Sequence, residues 1–281
     1  MAKHIPVLSV VGIVGSTEES TVDNLQEILA IKARMAQKGL FFHFHIDGAY
    51  GAYFVAMIRE IQEGQINSFS DYVKTQLEQF QYADSITFDP HKTGYVPYCC
   101  GGIFYRNHLL RNNLSFSAPY IFSGLEPNVA IYGIEGFKPG SAVASVYMSL
   151  ATLPLERSGH GELLERTMRN TKIFTASLYL LEHRLYNHLL TNGVFLQKQR
   201  FKSQLLPLNY IEKNSSGDFL EMNAAYEKIA TTTPAHMEEM LRLNSNYEKY
   251  YYDLGPDLNI LCYNINYIDK NTGTWNTSLK K

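Results

Sequence analysis

Two apolar runs with a helical stretch between them constrain this chain more than any other feature. Val7 to Val14 is a short run rich in β-branched residues, closed by Gly15-Ser16-Thr17. Asp23-Asn24 then offers a cap for a helix to Gln37, on which Leu25, Ile28, Leu29 and Ala33 share one face, and Gly39 supplies the stop. The second run, Leu40-Phe41-Phe42-His43-Phe44-His45-Ile46, ends at Asp47. Strand, helix and strand in that order form a β-α-β unit, whose right-handed crossover lays the two strands parallel.

A third run, Ala83 to Phe88, leads into Asp89-Pro90-His91-Lys92-Thr93-Gly94, and Gly101 to Tyr105 returns over a connection short enough for an antiparallel neighbour. The expected sheet is therefore mixed and mainly parallel, flanked by helices at Tyr53–Glu63, Tyr72–Phe80 and Ser141–Leu153. An amphipathic helix from Glu162 to Tyr186 should bridge to a smaller α+β domain. That domain would hold strands at Val194–Leu196, Leu206–Ile211 and Leu258–Tyr267 and helices at Phe219–Ile229 and Pro234–Tyr252. The domain reading is 1–155 for a partial large domain, 156–190 for the bridge and 191–281 for a partial small domain. The chain begins one strand before a motif-bearing loop, and its last strand has no evident partner, so a fragment is expected.

With 281 residues, 45% of them hydrophobic, a sizeable core is within reach. A formal charge of −2 leaves no basic surplus for nucleic acid or an anionic bilayer, which points to small-molecule chemistry. Cys99, Cys100 and Cys262 give neither a disulfide framework nor zinc spacing. No secretory leader or membrane-length apolar run occurs, so a cytoplasmic protein is expected.

In open α/β sheets ligands gather beyond the carboxyl ends of the strands, so Asp47 and Lys92 should meet at one rim. A lysine and a carboxylate in that arrangement suit pyridoxal 5'-phosphate. The amine holds the aldehyde as an imine, and the acid keeps the ring nitrogen protonated. Lys92 would need a depressed pKa, and its place after Pro90 and His91 suggests a pocket rather than the surface. The competing reading for Asp47 is a strand-end helix cap, and for Lys92 a surface lysine. Ala49 would lie against the ring, with Gly48 and Gly51 keeping that segment small, and Ser16 and Thr17 offer hydroxyls. His91 suits either the phosphate or packing. His43, His45 and Asp47 alternate on one strand face and spell a metal-like pattern; the neighbouring Phe42, Phe44 and Ile46 argue instead for a strand buried on both sides, and no metal is assigned. Phosphate-loop and nucleophile-elbow patterns are absent.

These segments resemble the group II pyridoxal-phosphate-dependent amino-acid decarboxylases. The likeness rests on Gly15-Ser16-Thr17 with Asp23, His45-Ile-Asp47-Gly-Ala49-Tyr-Gly51 and Ala83-Asp84-Ser85-Ile-Thr-Phe-Asp89-Pro90-His91-Lys92. Gly94-Tyr-Val-Pro-Tyr98, Gly101-Gly-Ile103 and Glu135 to Ala142 look most like the bacterial tyrosine decarboxylases. The likeness is strong over 5–155 and loose over 156–268. It implies the aspartate-aminotransferase type of fold (fold type I) and a cytosolic homodimer. It further implies Lys92 as the imine lysine, Asp47 at the ring nitrogen, Ala49 beneath the ring, Thr17 near the cofactor's oxygen and His91 on the phosphate side. Gly48 departs from the family's alanine and Ser16 from its threonine. The family's ring-stacking aromatic and phosphate loop lie in a region before residue 1.

The implied activity is decarboxylation of an L-amino acid, aromatic and tyrosine-like, to the amine and CO2, with a loop around Ala118-Pro-Tyr-Ile-Phe122 as proton donor. The alternatives are a truncated, catalytically incompetent fragment, another pyridoxal-phosphate lyase or aminotransferase, or a glutamate-type decarboxylase.

Overall fold

A computed structural model describes residues 5–61, 65–113, 138–189, 194–198, 217–261 and 263–267. The chain divides into two compact units, one of residues 1–15, 22–60 and 75–161 and the other of 16–21, 61–74 and 162–281.

The first unit is built on a sheet of β1 (Ser9–Ile13), β2 (His43–Asp47), β3 (Ser85–Phe88) and β4 (Gly102–Tyr105), in that spatial order. β1 and β3 run parallel to β2, and β4 runs antiparallel to β3, which is the mixed, mainly parallel sheet expected. Helix α1 (Leu25–Ala36) makes the crossover, started by Asn24, whose side chain accepts the Glu27 N–H at 3.0 Å. Asp23 does something else: its Oδ2 accepts the Ile13 N–H at 2.8 Å and its own N–H bonds the Ile13 carbonyl at 2.9 Å, pinning the helix entrance to the end of β1.

β2 is not buried on both sides. Phe44 and Ile46 are fully buried, while His43, His45 and Asp47 are half-buried. Parallel register sets the second trio beside Val11 and Ile13, both exposed, and beside Ser85 and Thr87. One face is thus a hydrocarbon core and the other a polar surface. The helix expected over Tyr53–Glu63 is a short 3-10 helix, Ala52–Met57, followed by a turn over 58–60, and Arg157 donates to the Met57 carbonyl at 3.4 Å. Helices α2 (Asp71–Glu78), α3 (Leu110–Asn113) and α4 (Gly140–Thr152) follow in chain order.

The second unit carries α5 (Glu162–Leu189), which pairs with α6 (Gly217–Thr231). Ala176, Tyr179, Tyr226, Ile229, Leu241 and Tyr251 lie in its buried cluster. The helix expected over Pro234–Tyr252 is broken into α7 (Met237–Leu243) and α8 (Glu248–Tyr252) at Asn244, whose side-chain amide donates to the Met240 carbonyl at 2.8 Å. β5 (Val194–Lys198) pairs antiparallel with β6 (Tyr263–Tyr267), so the last strand does have a partner. The strand expected over 206–211 lies outside the described residues. Among the described residues no helix is long and apolar enough to cross a membrane.

Candidate functional site

Asp47 ends β2, and the segment after it is laced to the end of β3. The Gly48 N–H donates to the Thr87 carbonyl (3.1 Å), the Asp89 N–H to the Ala49 carbonyl (3.2 Å), and the Thr93 hydroxyl to the Tyr50 carbonyl (2.7 Å). On the other side the Gly51 N–H donates to the Val14 carbonyl at 3.0 Å. Such approach needs small residues. A Cβ at Gly51 would meet the Val14 carbonyl oxygen at 2.4 Å, and one at Gly48 would lie 3.0 Å from that of Thr87. Smallness here serves the meeting of backbones first. Ala49, half-buried, has both its N–H and its carbonyl engaged in this lacing.

The turn bearing Lys92 is closed by the Lys92 N–H on the Asp89 carbonyl and the Val96 N–H on the Pro90 carbonyl, both 3.0 Å. Pro90 and Thr93 take its inward positions. Lys92 consequently faces outward. Its side chain is 37% exposed and its Nζ lies 2.9 Å from Asp89 Oδ2, so the described residues place it on the rim rather than in the pocket expected from its neighbours. His91 packs its ring on Tyr98, with centroids 4.1 Å apart; Nδ1 meets the Cys100 carbonyl, and Nε2 lies 3.6 Å from Asp89 Oδ2. These contacts brace the turn it shares with Lys92. Behind the turn, buried His160 reaches the Leu153 carbonyl through Nδ1 (2.7 Å) and the Gly94 carbonyl through Nε2 (3.4 Å). Nothing in the sequence pattern marked it.

Thr17 belongs to the second unit, where it is exposed in a turn over residues 17–19. The Ser16 hydroxyl is used within the same region, accepting from the Thr21 N–H (3.1 Å) and bonding its hydroxyl (2.9 Å). The loop 118–122, expected to supply a proton, lies outside the described residues.

The polar face of β2 carries a hydrogen-bonded chain that the sequence reading missed. His43 Nε2 and His45 Nδ1 each lie 2.7 Å from Ser85 Oγ, and His45 Nε2 lies 2.8 Å from Thr87 Oγ1. Alternating hydroxyls on β3 in parallel register with alternating histidines on β2 were the available signal. Burial holds the His45 pKa below its ordinary value, against the raising effect of Asp47 and with a further lowering from His43.

The donor set fits pyridoxal phosphate. Asp47 Oδ1 accepts the Ala49 N–H at 3.1 Å, and among the described residues Oδ2 has no hydrogen-bond partner, so a half-buried carboxylate keeps an oxygen for a protonated ring nitrogen. Lys92 stands on the loop laced to it, and among the described residues its amine pairs with the neighbouring Asp89 carboxylate.

A family model described as the pyridoxal-dependent decarboxylase conserved domain matches residues 2–183. The chain is 35% identical over 184 residues to the L-tyrosine decarboxylase of Levilactobacillus brevis, covering 58% of this chain and 29% of that protein. It is 32% identical over 230 residues to the L-tyrosine decarboxylase of Enterococcus faecium, covering 69% and 37%. A solved glutamate decarboxylase of Lactobacillus brevis CGMCC 1306 superposes with a TM-score of 0.47 at 16% identity, over 82% of this chain and 55% of that one. The chain thus spans 29–37% of the length of the two tyrosine decarboxylases it matches.

Proposed function

This chain belongs to the pyridoxal-dependent decarboxylase family, and from that premise we propose that it is the lysine-bearing part of an enzyme that releases CO2 from an L-amino acid, tyrosine or a close aromatic relative. The observation that carries the reading is the lacing of the Asp47 segment to the Lys92 turn through Gly48, Asp89 and Thr93. Pyridoxal phosphate, when bound, supplies a sink for the electron pair left at Cα as the carboxylate departs.

In this reading Lys92 Nζ holds the cofactor and Asp47 Oδ2 accepts the proton-bearing ring nitrogen. Asp89 shields the lysine's charge before loading and must release it, because only the neutral amine is nucleophilic. Ala49 offers a small side chain on the segment between them. His91 braces the turn and stays the candidate for the phosphate side. A homodimer in the cytoplasm is part of the same proposal.

The test is to add pyridoxal phosphate to the purified chain and follow the absorption band of lysine-bound pyridoxal. We expect a band that Lys92→Ala removes. CO2 release is then assayed with tyrosine, phenylalanine, tryptophan and glutamate, using the longer gene product where one exists. Release from none of the four defeats the decarboxylase reading.

A further inference from the structure

We propose that His45 is a positioning residue for Asp47. Fastened at both ring nitrogens by the Ser85 and Thr87 hydroxyls, it stands as an uncharged wall beside the carboxylate and leaves that charge for the cofactor's ring nitrogen. The inference rests on the reading that Asp47 faces that nitrogen.

Geometry carries the argument. His45 and Asp47 are two apart on β2 and share its polar face, so their side chains rise side by side. A protonated imidazole there would be a resident cation for Asp47 and would compete with the pyridinium. Ser85 Oγ has one proton and lies between His43 Nε2 and His45 Nδ1, so at least one of those nitrogens must donate to it. A neutral His45, donating at one nitrogen and accepting at the other, satisfies both hydroxyls. Among the described residues the charged or titratable groups near it on β2 are His43 and Asp47; on β3 it meets the hydroxyls of Ser85 and Thr87 and the Ser85 backbone, which also raises its pKa, and its partner on β1 is Val11. Burial and His43 favour the neutral ring, and Asp47 opposes them. A neutral ring also fixes distance. Held at both ends, it cannot swing into the place where the cofactor's nitrogen should sit.

The experiment compares the affinity of the full chain for pyridoxal phosphate with that for its 1-deaza analogue, in which carbon replaces the ring nitrogen. The wild-type chain should prefer the natural cofactor by about tenfold or more, the scale of one hydrogen bond to a charged group, and Asp47→Asn should erase the preference. His45→Leu should cut it severalfold, and His45→Gln, which keeps an uncharged bonding group between the two hydroxyls, should restore most of it. A preference that survives Asp47→Asn, or a chain that binds neither compound, overturns the cofactor reading and this inference with it. A preference lost in Asp47→Asn but intact in His45→Leu overturns the inference alone. In the cofactor-free chain, imidazole NMR should show His45 titrating below the ordinary histidine value, and lower still in Asp47→Asn. Titration at or above that value, or indifference to Asp47→Asn, also overturns it.

Discussion

Lys92 and Lys172 are placed in opposite ways, and the contrast shows why a displaced pKa alone does not mark a site. Lys92, on the rim of the first unit, is 37% exposed and paired with Asp89 at 2.9 Å. Lys172, on α5 in the second unit, is buried and donates to the Tyr252 carbonyl at 2.9 Å, and burial pulls its pKa down to about 7 against the opposing carboxylates of Asp253, Glu165 and Asp257. A search for the most displaced lysine would choose Lys172. Yet its surroundings are closed: Glu165 nearby accepts from Arg169 Nε (2.9 Å) and from the Ser68 hydroxyl, which also meets the Tyr251 hydroxyl at 2.6 Å. Perturbation flags ion networks as readily as active sites. Among the described residues the rim is marked instead by unspent bonding capacity, at Asp47 Oδ2.

The sharpest way to break this comparison is to remove each lysine in turn. Lys92→Ala should abolish lysine-bound cofactor and lower any decarboxylation by at least about 10³-fold, while shifting stability by under about 0.5 kcal/mol, as at an exposed site. Lys172→Met should leave the cofactor band in place. A reversed result, read by absorbance and urea denaturation, would move the chemistry to α5. Next in size, Glu165→Gln removes the buried carboxylate that Arg169 Nε bonds and leaves the guanidinium with the more exposed Glu238 at 3.6 Å; it should cost about 1.5–3 kcal/mol, the scale of a hydrogen bond to a charged group, seen as a lower urea midpoint with the Lys92 band retained in the protein that remains folded.

What the sequence revealed follows the same division. β2 and β3 were legible because alternating apolar residues end at Asp47 and at Asp89-Pro90, where turn chemistry takes over. The meeting of the segment after Asp47 with the end of β3 was legible from the parallel pairing of the two strands. The polar face of β2 was missed because Phe42, Phe44 and Ile46 read as a run buried on two sides, whereas burial is decided by what Val11, Ser85 and Thr87 place alongside. Lys172 was illegible for a related reason: its helix reads as amphipathic, and only packing reveals that the lysine at this position turns inward. The 3-10 helix at Ala52–Met57 ends at a carbonyl that Arg157 reaches from a hundred residues away, a contact no local pattern announces.

A third test probes the backbone lacing. Gly51→Ala drives a methyl against the Val14 carbonyl oxygen, where an ideal Cβ would lie at 2.4 Å, and backbone cannot yield as a side-chain tip would. The expected cost is about 1–3 kcal/mol, together with weaker cofactor binding as the Asp47 segment shifts. Gly48→Ala, whose closest backbone contact would be 3.0 Å, should cost less. Equal effects at the two positions would mean that the lacing tolerates more movement than the geometry implies.

The smallest expected effect is a slope rather than a loss. Lys172 has a folded pKa of about 7 against an ordinary 10.5, so between these values the unfolded chain holds a proton that the folded one does not. Stability must then rise with pH across that window, by about 1 kcal/mol per unit in its middle, and the cost of the buried lysine is fully felt only below pH 7. His45 contributes in the same direction at lower pH: its depressed pKa makes stability fall as acid takes the chain below the ordinary histidine value. The window for Lys172 is best read from urea midpoints between pH 7.5 and 9, before the buried tyrosines, whose raised pKa values make folding lose ground in strong alkali, begin to matter. Lys172→Met should flatten that slope. A slope that survives Lys172→Met would assign the missing proton to another group and remove the buried lysine from the contrast with the rim.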